Sequence, residues 1–268
     1  MRIPFLFCSL LALLSPGWVF AQSDHVESAE RKGLNLAQEA SQRNEGFGDT
    51  TVELSMVLEA TDGRQRTRRL TWKILESTAG DDGDKSLTIF HEPRDIAGTG
   101  FLTHTHISQT DDQWLYLPAL KRVKRIASAN MSSAFVGSEF AYEDLLSDEV
   151  EKCNYEWLRD ESCAELTCYV VQREPRYANS GYSRQLVWMD QKEYRIIKTE
   201  FYERNGELKK TLRFEDYKLY LDKYWRAHKL RMENHQTGKV TLLQFAKYHF
   251  RSGLGVQAFS PDALKRIR

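Results

Sequence analysis

The sequence has no excess of either charge, because Lys and Arg together number 38 and so do Asp and Glu, among 268 residues. A general nucleic-acid binder would carry a basic excess, so that class is excluded. Proline is scarce at 6 residues, and hydrophobic residues make up 41%. These values exclude collagen-like repeats and a disordered chain, and they indicate a protein that buries a substantial core.

Motifs of the common enzyme classes are also missing. The sequence contains no G-x-S-x-G, no Walker loop, no H-E-x-x-H and no G-x-G-x-x-G. His104 and His106 lie on one face of a predicted strand and could hold a metal ion with His91, but two polar residues on a solvated strand face are the favoured interpretation. We therefore expect no metal, no cofactor and no enzymatic activity.

The one long apolar run is at the N-terminus. Ile3–Phe20 follows Arg2 and leads into Val19-Phe20-Ala21, which is typical of a signal-peptidase cleavage site. We predict a signal peptide over residues 1–21, cleaved after Ala21, with an uncleaved anchor as the alternative. Residues 22–268 are then expected to form a single exported, soluble domain, since no linker-like segment interrupts them.

Export would place the cysteines in an oxidising compartment. Cys153, Cys163 and Cys168 remain after the signal peptide, which predicts one disulfide and one free thiol. Spacing alone leaves three pairings open. We favour Cys153 with Cys168, across a hairpin whose turn holds Arg159–Glu165, a loop that would stabilise the fold by roughly 3 kcal/mol.

One helix and then a long series of hairpins are predicted. Apolar residues at helical spacing over 25–43 indicate an amphipathic helix, with Gly33 on its apolar face. From Val52 onward the period changes to two, which is typical of half-buried strands. The turn signals that separate these strands include Asp62-Gly63, Asp190–Lys192, Asn205-Gly206 and His235–Lys239.

No stretch alternates strands with helices, so a parallel sheet is excluded. The pattern favours a mainly β protein with a few helices (α+β), built on an antiparallel sheet of roughly ten or more strands, wide enough to curl or close. Its inward apolar face must be filled by side chains, by a helix or by a ligand. Further helical turns are predicted at 139–147 and at the tail, where Ser260 precedes Pro261.

A cationic stretch follows the aromatic strand end Trp114–Leu117. The usual interpretation of such a charge run is a solvated hairpin face; the functional one is a contact of Arg122, Lys124 and Arg125 with lipid headgroups or an acidic partner. The small, polar segment Ser128–Ser138 comes next. It would place Phe135 and Phe140 either in a lid at the mouth of the curled sheet or in the core.

These segments resemble a known family. Trp114–Ile126 (WLYLPALKRVKRI), Phe135–Leu145 (FVGSEFAYEDL), Tyr182–Asp190 (YSRQLVWMD) and Met232–Thr241 (MENHQTGKVT) are similar, in order, to signature segments of the outer-membrane lipoprotein-sorting family, which is LolA-like. Phe259-Ser-Pro261 and Leu264 continue the likeness, which extends from about residue 30 to the end. Glu139 stands where the family has Asp, and Ala141 where it has Ser or Thr.

The resemblance implies a half-open antiparallel barrel wrapped over helices, with an apolar cavity for acyl chains. It implies a periplasmic, non-enzymatic carrier for outer-membrane sorting, with an acylated lipoprotein or lipid as cargo. Some members are found beside resistance-nodulation-division type exporters. The alternative function is therefore an accessory docking subunit of such an inner-membrane exporter, with no cargo of its own.

Bulky inward side chains would suit a cavity that must also release its cargo. About half of the following candidates are expected to line the cavity rather than pack as ordinary core: Phe101, Trp114, Tyr116, Phe135, Phe140, Trp188 and Leu242.

Overall fold

The computed structural model describes residues 19–77 and 82–267, so residues 1–18 of the predicted signal peptide lie outside this part of the chain. Helix α1 spans Val19–Asn44, and a short helix α2 spans Pro261–Leu264. Between them run the strands β1 (Asp49–Glu59), β2 (Gln65–Leu75), β3 (Asp82–Glu92), β4 (Gly100–His106), β5 (Asp112–Leu117), β6 (Arg122–Arg125), β7 (Cys153–Cys163), β8 (Leu166–Pro175), β9 (Tyr182–Asp190), β10 (Ile196–Glu203), β11 (Leu208–Tyr220), β12 (Tyr224–Asn234) and β13 (Val240–Phe250). In this part of the chain no helix combines the length and the apolar character that a membrane span requires.

The described strands form a single antiparallel sheet of 13 strands, in the order β6-β5-β4-β3-β2-β1-β13-β12-β11-β10-β9-β8-β7. Strands β6 and β7 are therefore the two edges, and the sheet is a curled half-barrel rather than a closed one. Each predicted turn signal lies between two neighbouring strands. For example, Gly63 has the positive φ of 81° that its two-residue turn requires, and its N–H donates to the Ala60 carbonyl at 2.9 Å.

Residues 126–152, which we call the crossing segment, run from one edge of the sheet to the other. Because β6 and β7 are opposite edges, the chain between them must pass over a face of the sheet. It passes over the face that carries Phe90 and Phe101, where Phe135 and Tyr142 pack into the largest buried cluster. The Phe135 ring centroid lies 5.0 Å from that of Phe101 and 5.9 Å from that of Phe90.

A buried ion pair fixes the crossing segment to the sheet. Lys210 Nζ of β11 lies 2.5 Å from Asp144 Oδ2, and each side chain is only 3% exposed. Asp144 also accepts hydrogen bonds from the Tyr182 hydroxyl at 2.7 Å and from the Ala141 N–H at 2.6 Å. Lys210 donates a further bond to the Glu139 carbonyl at 3.1 Å.

The neighbouring Glu143 is held in the same way. Its carboxylate accepts hydrogen bonds from Ser180 Oγ at 2.8 Å and from the Gly181 N–H at 2.9 Å. The helical segment predicted over 139–147 is present only as a single 3₁₀ turn, Tyr142–Leu145, and the predicted bounds are too wide. These carboxylates bond inward to the strands, whereas an exposed helix would have presented them to solvent.

The opposite face of β3–β5 is covered by the C-terminal residues. Phe259 and Leu264 pack against Leu87 and Leu102 in a second buried cluster. As predicted, Ser260 caps α2, because its hydroxyl accepts a hydrogen bond from the Ala263 N–H.

Helix α1 covers the β7 edge. A third cluster joins Leu36 of α1 to Val171 and Met189 of β8 and β9. Gly33 is required at this contact, since a Cβ at that position would lie 2.7 Å from the backbone nitrogen of Trp157 in β7. This close approach explains why a glycine stands on the apolar face of a helix.

The predicted disulfide between Cys153 and Cys168 is wrong. Cys163 pairs with Cys168 instead, with a Cα–Cα distance of 6.1 Å, and Cys153 is free. The reason is the register of β7 and β8, in which Cys163 lies opposite Leu166 while Cys153 lies opposite Pro175. Cys153 is opposite Pro175, seven residues from Cys168 on β8, and is thus about 23 Å along the ladder from Cys168 at roughly 3.3 Å per residue. The turn is confined to the two residues between the strands.

Candidate binding cavity

A cavity of about 630 Å³ lies between α1, the sheet and the end of the crossing segment. Ala37 and Ala40 of α1 form one wall, and their small side chains leave room between the helix and the strands. Leu145, Leu146 and Val150 of the crossing segment form another. The volume is in the range of cavities that bind small ligands.

The strands contribute an apolar and aromatic lining. These residues come from both halves of the sheet and from the turn after α1: Phe47, Trp72, Ile74, Val171, Val187, Met189, Ile196, Phe214, Tyr217, Trp225, Leu230, Phe245 and Tyr248. The Trp72 and Phe245 ring centroids lie 6.1 Å apart. The sheet thus provides a continuous hydrophobic surface that no element of the described chain fills at this point.

Most of the arginines at the cavity are neutralised by a carboxylate. Arg173 pairs with Asp148 at 2.8 Å, and Arg195 pairs with Asp190 at 2.7 Å. Arg226 differs, because its hydrogen bonds go to the Asn44 side-chain oxygen at 2.8 Å and to the Trp225 carbonyl at 3.0 Å. Burial lowers the pKa of Arg226, which reflects the cost of keeping this cation away from water.

Burial raises the pKa of two carboxyl groups at the same cavity. Burial, with a second contribution from the charge of Asp84, raises the pKa of Glu149 to about 7. Burial also raises the pKa of Asp84 itself, against the hydrogen bond it accepts from the Ser77 N–H at 3.0 Å. Near neutral pH this wall of the cavity therefore carries less negative charge than its composition indicates.

None of the seven predicted cavity residues lines this cavity. Phe101, Phe135 and Phe140 are together in the cluster beneath the crossing segment, where they are at most 2% exposed. Of the two interpretations of Ser128–Ser138, the structure therefore places Phe135 and Phe140 in the core. Trp114 and Tyr116 lie on the opposite face of β5, packed against the C-terminal residues.

Trp188 and Leu242 also lie away from the cavity. Trp188 packs with Cys168 and Val170 and carries Lys198 Nζ over its ring at 3.4 Å. Its neighbours Val187 and Met189 are the residues that face the cavity. Leu242 is half-buried, and the adjacent Leu243 joins the main cluster. Side chains alternate along β9, so Val187 and Met189 face the cavity and Trp188 faces the other side. Trp188 was predicted because of its large aromatic ring.

Arg122, Lys124 and Arg125 form the exposed β6 edge and do not line the cavity. Arg125 pairs with Asp112 of the neighbouring strand. The three cations stand together at the sheet edge, where charge also prevents the edge from pairing with another chain. A contact with a partner remains a prediction.

His104 and His106 have protein partners. His104 donates from Nε2 to the Phe259 carbonyl at 2.6 Å, and the His106 ring lies 3.3 Å from Asp112 Oδ2. His91 is hydrogen-bonded to Thr71 at 2.8 Å. Within residues 19–77 and 82–267, no three side chains of the metal-binding types come together in a site.

Comparison with known proteins identifies the family. A family model described as "Uncharacterized protein" matches residues 82–266. The chain is 51% identical to a structure described as an outer membrane lipoprotein-sorting protein domain from Vibrio parahaemolyticus, with a TM-score of 0.86, covering 88% of this chain and 100% of that one. No curated protein matches the chain.

Two further structures have the same fold. A DUF1329 family protein from Desulfovibrio piger is 26% identical, with a TM-score of 0.83 over 88% of this chain and 99% of that one. A LolA superfamily protein from Nitrosomonas europaea is 22% identical, with a TM-score of 0.69 over 86% and 98%. With the half-barrel and its cavity in place, the 51% identity over 88% of the chain confirms the resemblance of the sequence: the chain belongs to the outer membrane lipoprotein-sorting protein family, of LolA-like fold.

Proposed function

We propose that the protein is a periplasmic, non-enzymatic carrier that binds the acyl chains of lipoproteins or lipids for outer-membrane sorting. The observation that carries this proposal is the apolar cavity of about 630 Å³ between α1 and the sheet. The description of the Vibrio parahaemolyticus relative as a lipoprotein-sorting domain supports it.

The energetics of the cavity suit binding followed by release. Burying a chain of sixteen carbons gives a gross gain on the order of 10 kcal/mol, at roughly 0.8 kcal/mol per methylene. Sheet does not close the cavity on all sides. Helix α1 forms one wall, and another includes Val150, the first residue of the 3₁₀ turn Val150–Lys152. Small displacements of these two elements would admit or release a chain without breaking the sheet.

Native mass spectrometry of the mature protein, purified from periplasm without detergent, tests the proposal. An added mass that extraction identifies as lipid or acylated peptide supports it. A bare mass, together with no uptake of an offered fatty-acyl probe, refutes it and favours the cargo-free docking subunit.

A cavity-filling variant locates the binding site. Ala40 lines the cavity, so Ala40→Trp should occupy it and reduce probe uptake at least tenfold. Gln38→Trp, on the exposed side of the same helix, is the matched control and should bind as the parent does. Equal uptake by the two variants would mean that the probe binds elsewhere.

We propose that Arg122, Lys124 and Arg125 contact a lipid headgroup or an acidic partner, with an inner-membrane exporter as one candidate. Their exposure at the β6 edge supports this role. Reversing the three charges should weaken association with anionic vesicles or with the partner, and the difference from the parent should shrink as salt rises. A difference that does not depend on salt would contradict the electrostatic contact.

A further inference from the structure

Arg226 is a cation with spare hydrogen-bond donors, in a cavity whose lining is mainly apolar and aromatic. Its side chain is half-buried and lines the cavity beside Phe47, Tyr217 and Tyr248. Both of its hydrogen bonds leave from Nη1. Among the described residues, Nε and Nη2 therefore have no partner, although a guanidinium offers five donors in a planar fork.

Arg226 has no carboxylate in direct contact. In the part of the chain that the structure describes, it forms no ion pair, unlike Arg173 and Arg195 at the same cavity. Glu76 acts on it electrostatically, but the Glu76 carboxylate already accepts hydrogen bonds from the Gly46 and Gly48 N–H groups at 2.6 Å each. A half-buried cation is costly unless a ligand or a partner compensates it.

The aromatic side chains around Arg226 position it without neutralising it. The guanidinium carbon lies 5.5 Å from the ring centroids of Tyr224 and Phe250 and 5.6 Å from that of Phe47. Stacked rings favour a guanidinium and restrict its rotamers, while its edge stays open to the cavity. This geometry suits bidentate recognition of a carboxylate or a phosphate.

We infer that Arg226 binds the anionic head of an amphiphilic ligand whose acyl chain occupies the cavity, so that the preferred cargo is an anionic lipid. The inference rests on the proposed function, because it takes the cavity as an acyl-chain site. It also separates two kinds of cargo. The acylated end of a lipoprotein carries ester and amide carbonyls without a formal charge, whereas a fatty acid or a phospholipid brings an anion to Arg226.

The test compares palmitate with hexadecanol, which share a sixteen-carbon chain and differ in the charge of the head. Each ligand displaces a neutral hydrophobic dye from the mature protein at pH 8, where the carboxylate is ionised. We expect the parent protein to bind palmitate at least tenfold more tightly than hexadecanol. Arg226→Gln should lower the affinity for palmitate by about 10- to 100-fold, which is the range for a lost charge-assisted hydrogen bond. The affinity for hexadecanol should stay within about twofold of the parent's. Arg226→Lys should be intermediate, since it keeps the charge and loses the fork.

The outcomes distinguish this inference from the proposed function. Equal affinity of the parent for the two ligands, or unchanged palmitate binding by Arg226→Gln, overturns the inference and leaves the carrier function standing. Tighter binding of a neutral acylated peptide than of palmitate also overturns it, in favour of lipoprotein cargo. No binding of the dye or of either ligand refutes the carrier function itself.

Two controls exclude trivial explanations. Arg213→Gln removes an exposed arginine on β11, the strand next to that of Arg226, which does not line the cavity, and should change neither affinity. Inorganic phosphate alone should not displace the dye, because it lacks the chain; displacement would indicate a site for free anions and would overturn the assignment to a lipid. Comparing the two ligands on the parent protein needs no variant, so the inference stays testable even if Arg226→Gln does not fold.

Discussion

Replacing Lys210 with Met should strongly destabilise the protein. Methionine is unbranched like lysine and fills most of the same buried space, but it lacks the ammonium group. Asp144 then loses one of its three donors and becomes a buried carboxylate without a counter-ion, although the Tyr182 hydroxyl and the Ala141 N–H remain. The Glu139 carbonyl also loses the Lys210 bond.

The size of the effect follows from the burial of the pair. With both side chains 3% exposed, breaking the pair belongs to the class of changes that lower the free energy of unfolding by about 3 to 5 kcal/mol. The two donors that stay on Asp144 place our expectation near the lower end, at about 3 kcal/mol. The double variant Lys210→Met/Asp144→Asn removes the unpaired charge and should recover part of this loss.

Urea unfolding followed by circular dichroism measures the change, with Lys209→Met as the matched control. Lys209 is the next residue along β11 and pairs with Glu203 at 2.6 Å, but these side chains are 30% and 25% exposed. Loss of this solvated pair should cost under about 1 kcal/mol. If Lys210→Met lost no more than Lys209→Met, the buried pair would not be what fixes the crossing segment.

Three further predictions follow from the fold. Gly33→Ala should lower the melting temperature although alanine is the better helix former, because the new Cβ meets the Trp157 backbone at 2.7 Å. Gln38→Ala, on the exposed side of the helix, is the control. A higher melting temperature for Gly33→Ala would contradict this close contact. The raised pKa of Glu149, about 7 against an ordinary 4.5, means that ionisation costs stability as pH rises through that window. Glu149→Gln should therefore gain about 1 to 2 kcal/mol over the parent at pH 8, after a discount for partial exposure, and nothing below about pH 4; denaturant titrations at the two pH values decide. Finally, alkylation of the unfolded, unreduced mature chain should label one thiol in the parent and two in Cys163→Ser, whereas a Cys153–Cys168 disulfide would leave Cys163→Ser unlabelled.

Local patterns predicted the strands well, because a period of two and a turn residue with positive φ are properties of a few adjacent residues. Asp62-Gly63 and Asn205-Gly206 both lie in the hairpins that they predict. The antiparallel sheet and the family resemblance are likewise confirmed by the observed topology and by the 51% identical relative.

The cavity could not be predicted in the same way, because it depends on which element covers each part of the sheet. The Trp114 and Tyr116 side chains are as bulky and apolar as Trp72, yet the C-terminal residues cover the first two and α1 leaves the third open. The disulfide prediction was wrong for a related reason. The register of β7 and β8 keeps Cys153 away from Cys168, and that register is set by the length of the turn, which the spacing of the cysteines does not determine. Arg226 was missed because a single arginine in a strand carries no signal until its partners are known.

The strand order also determines when the cavity can form during folding. Two meanders, β1–β6 and β7–β13, are each built from neighbours in sequence and are joined through one seam, in which Thr50 of β1 pairs with Phe250 of β13. Contacts between residues so distant in sequence form slowly. In a chain that is synthesised from the N-terminus, the β1 edge stays unpaired until β13, the last strand, is available. Thr50, Phe245 and Tyr248 line the cavity at this seam. The cavity is therefore complete only after β13 has paired with β1, so a chain that still lacks its last strand has no enclosed cavity.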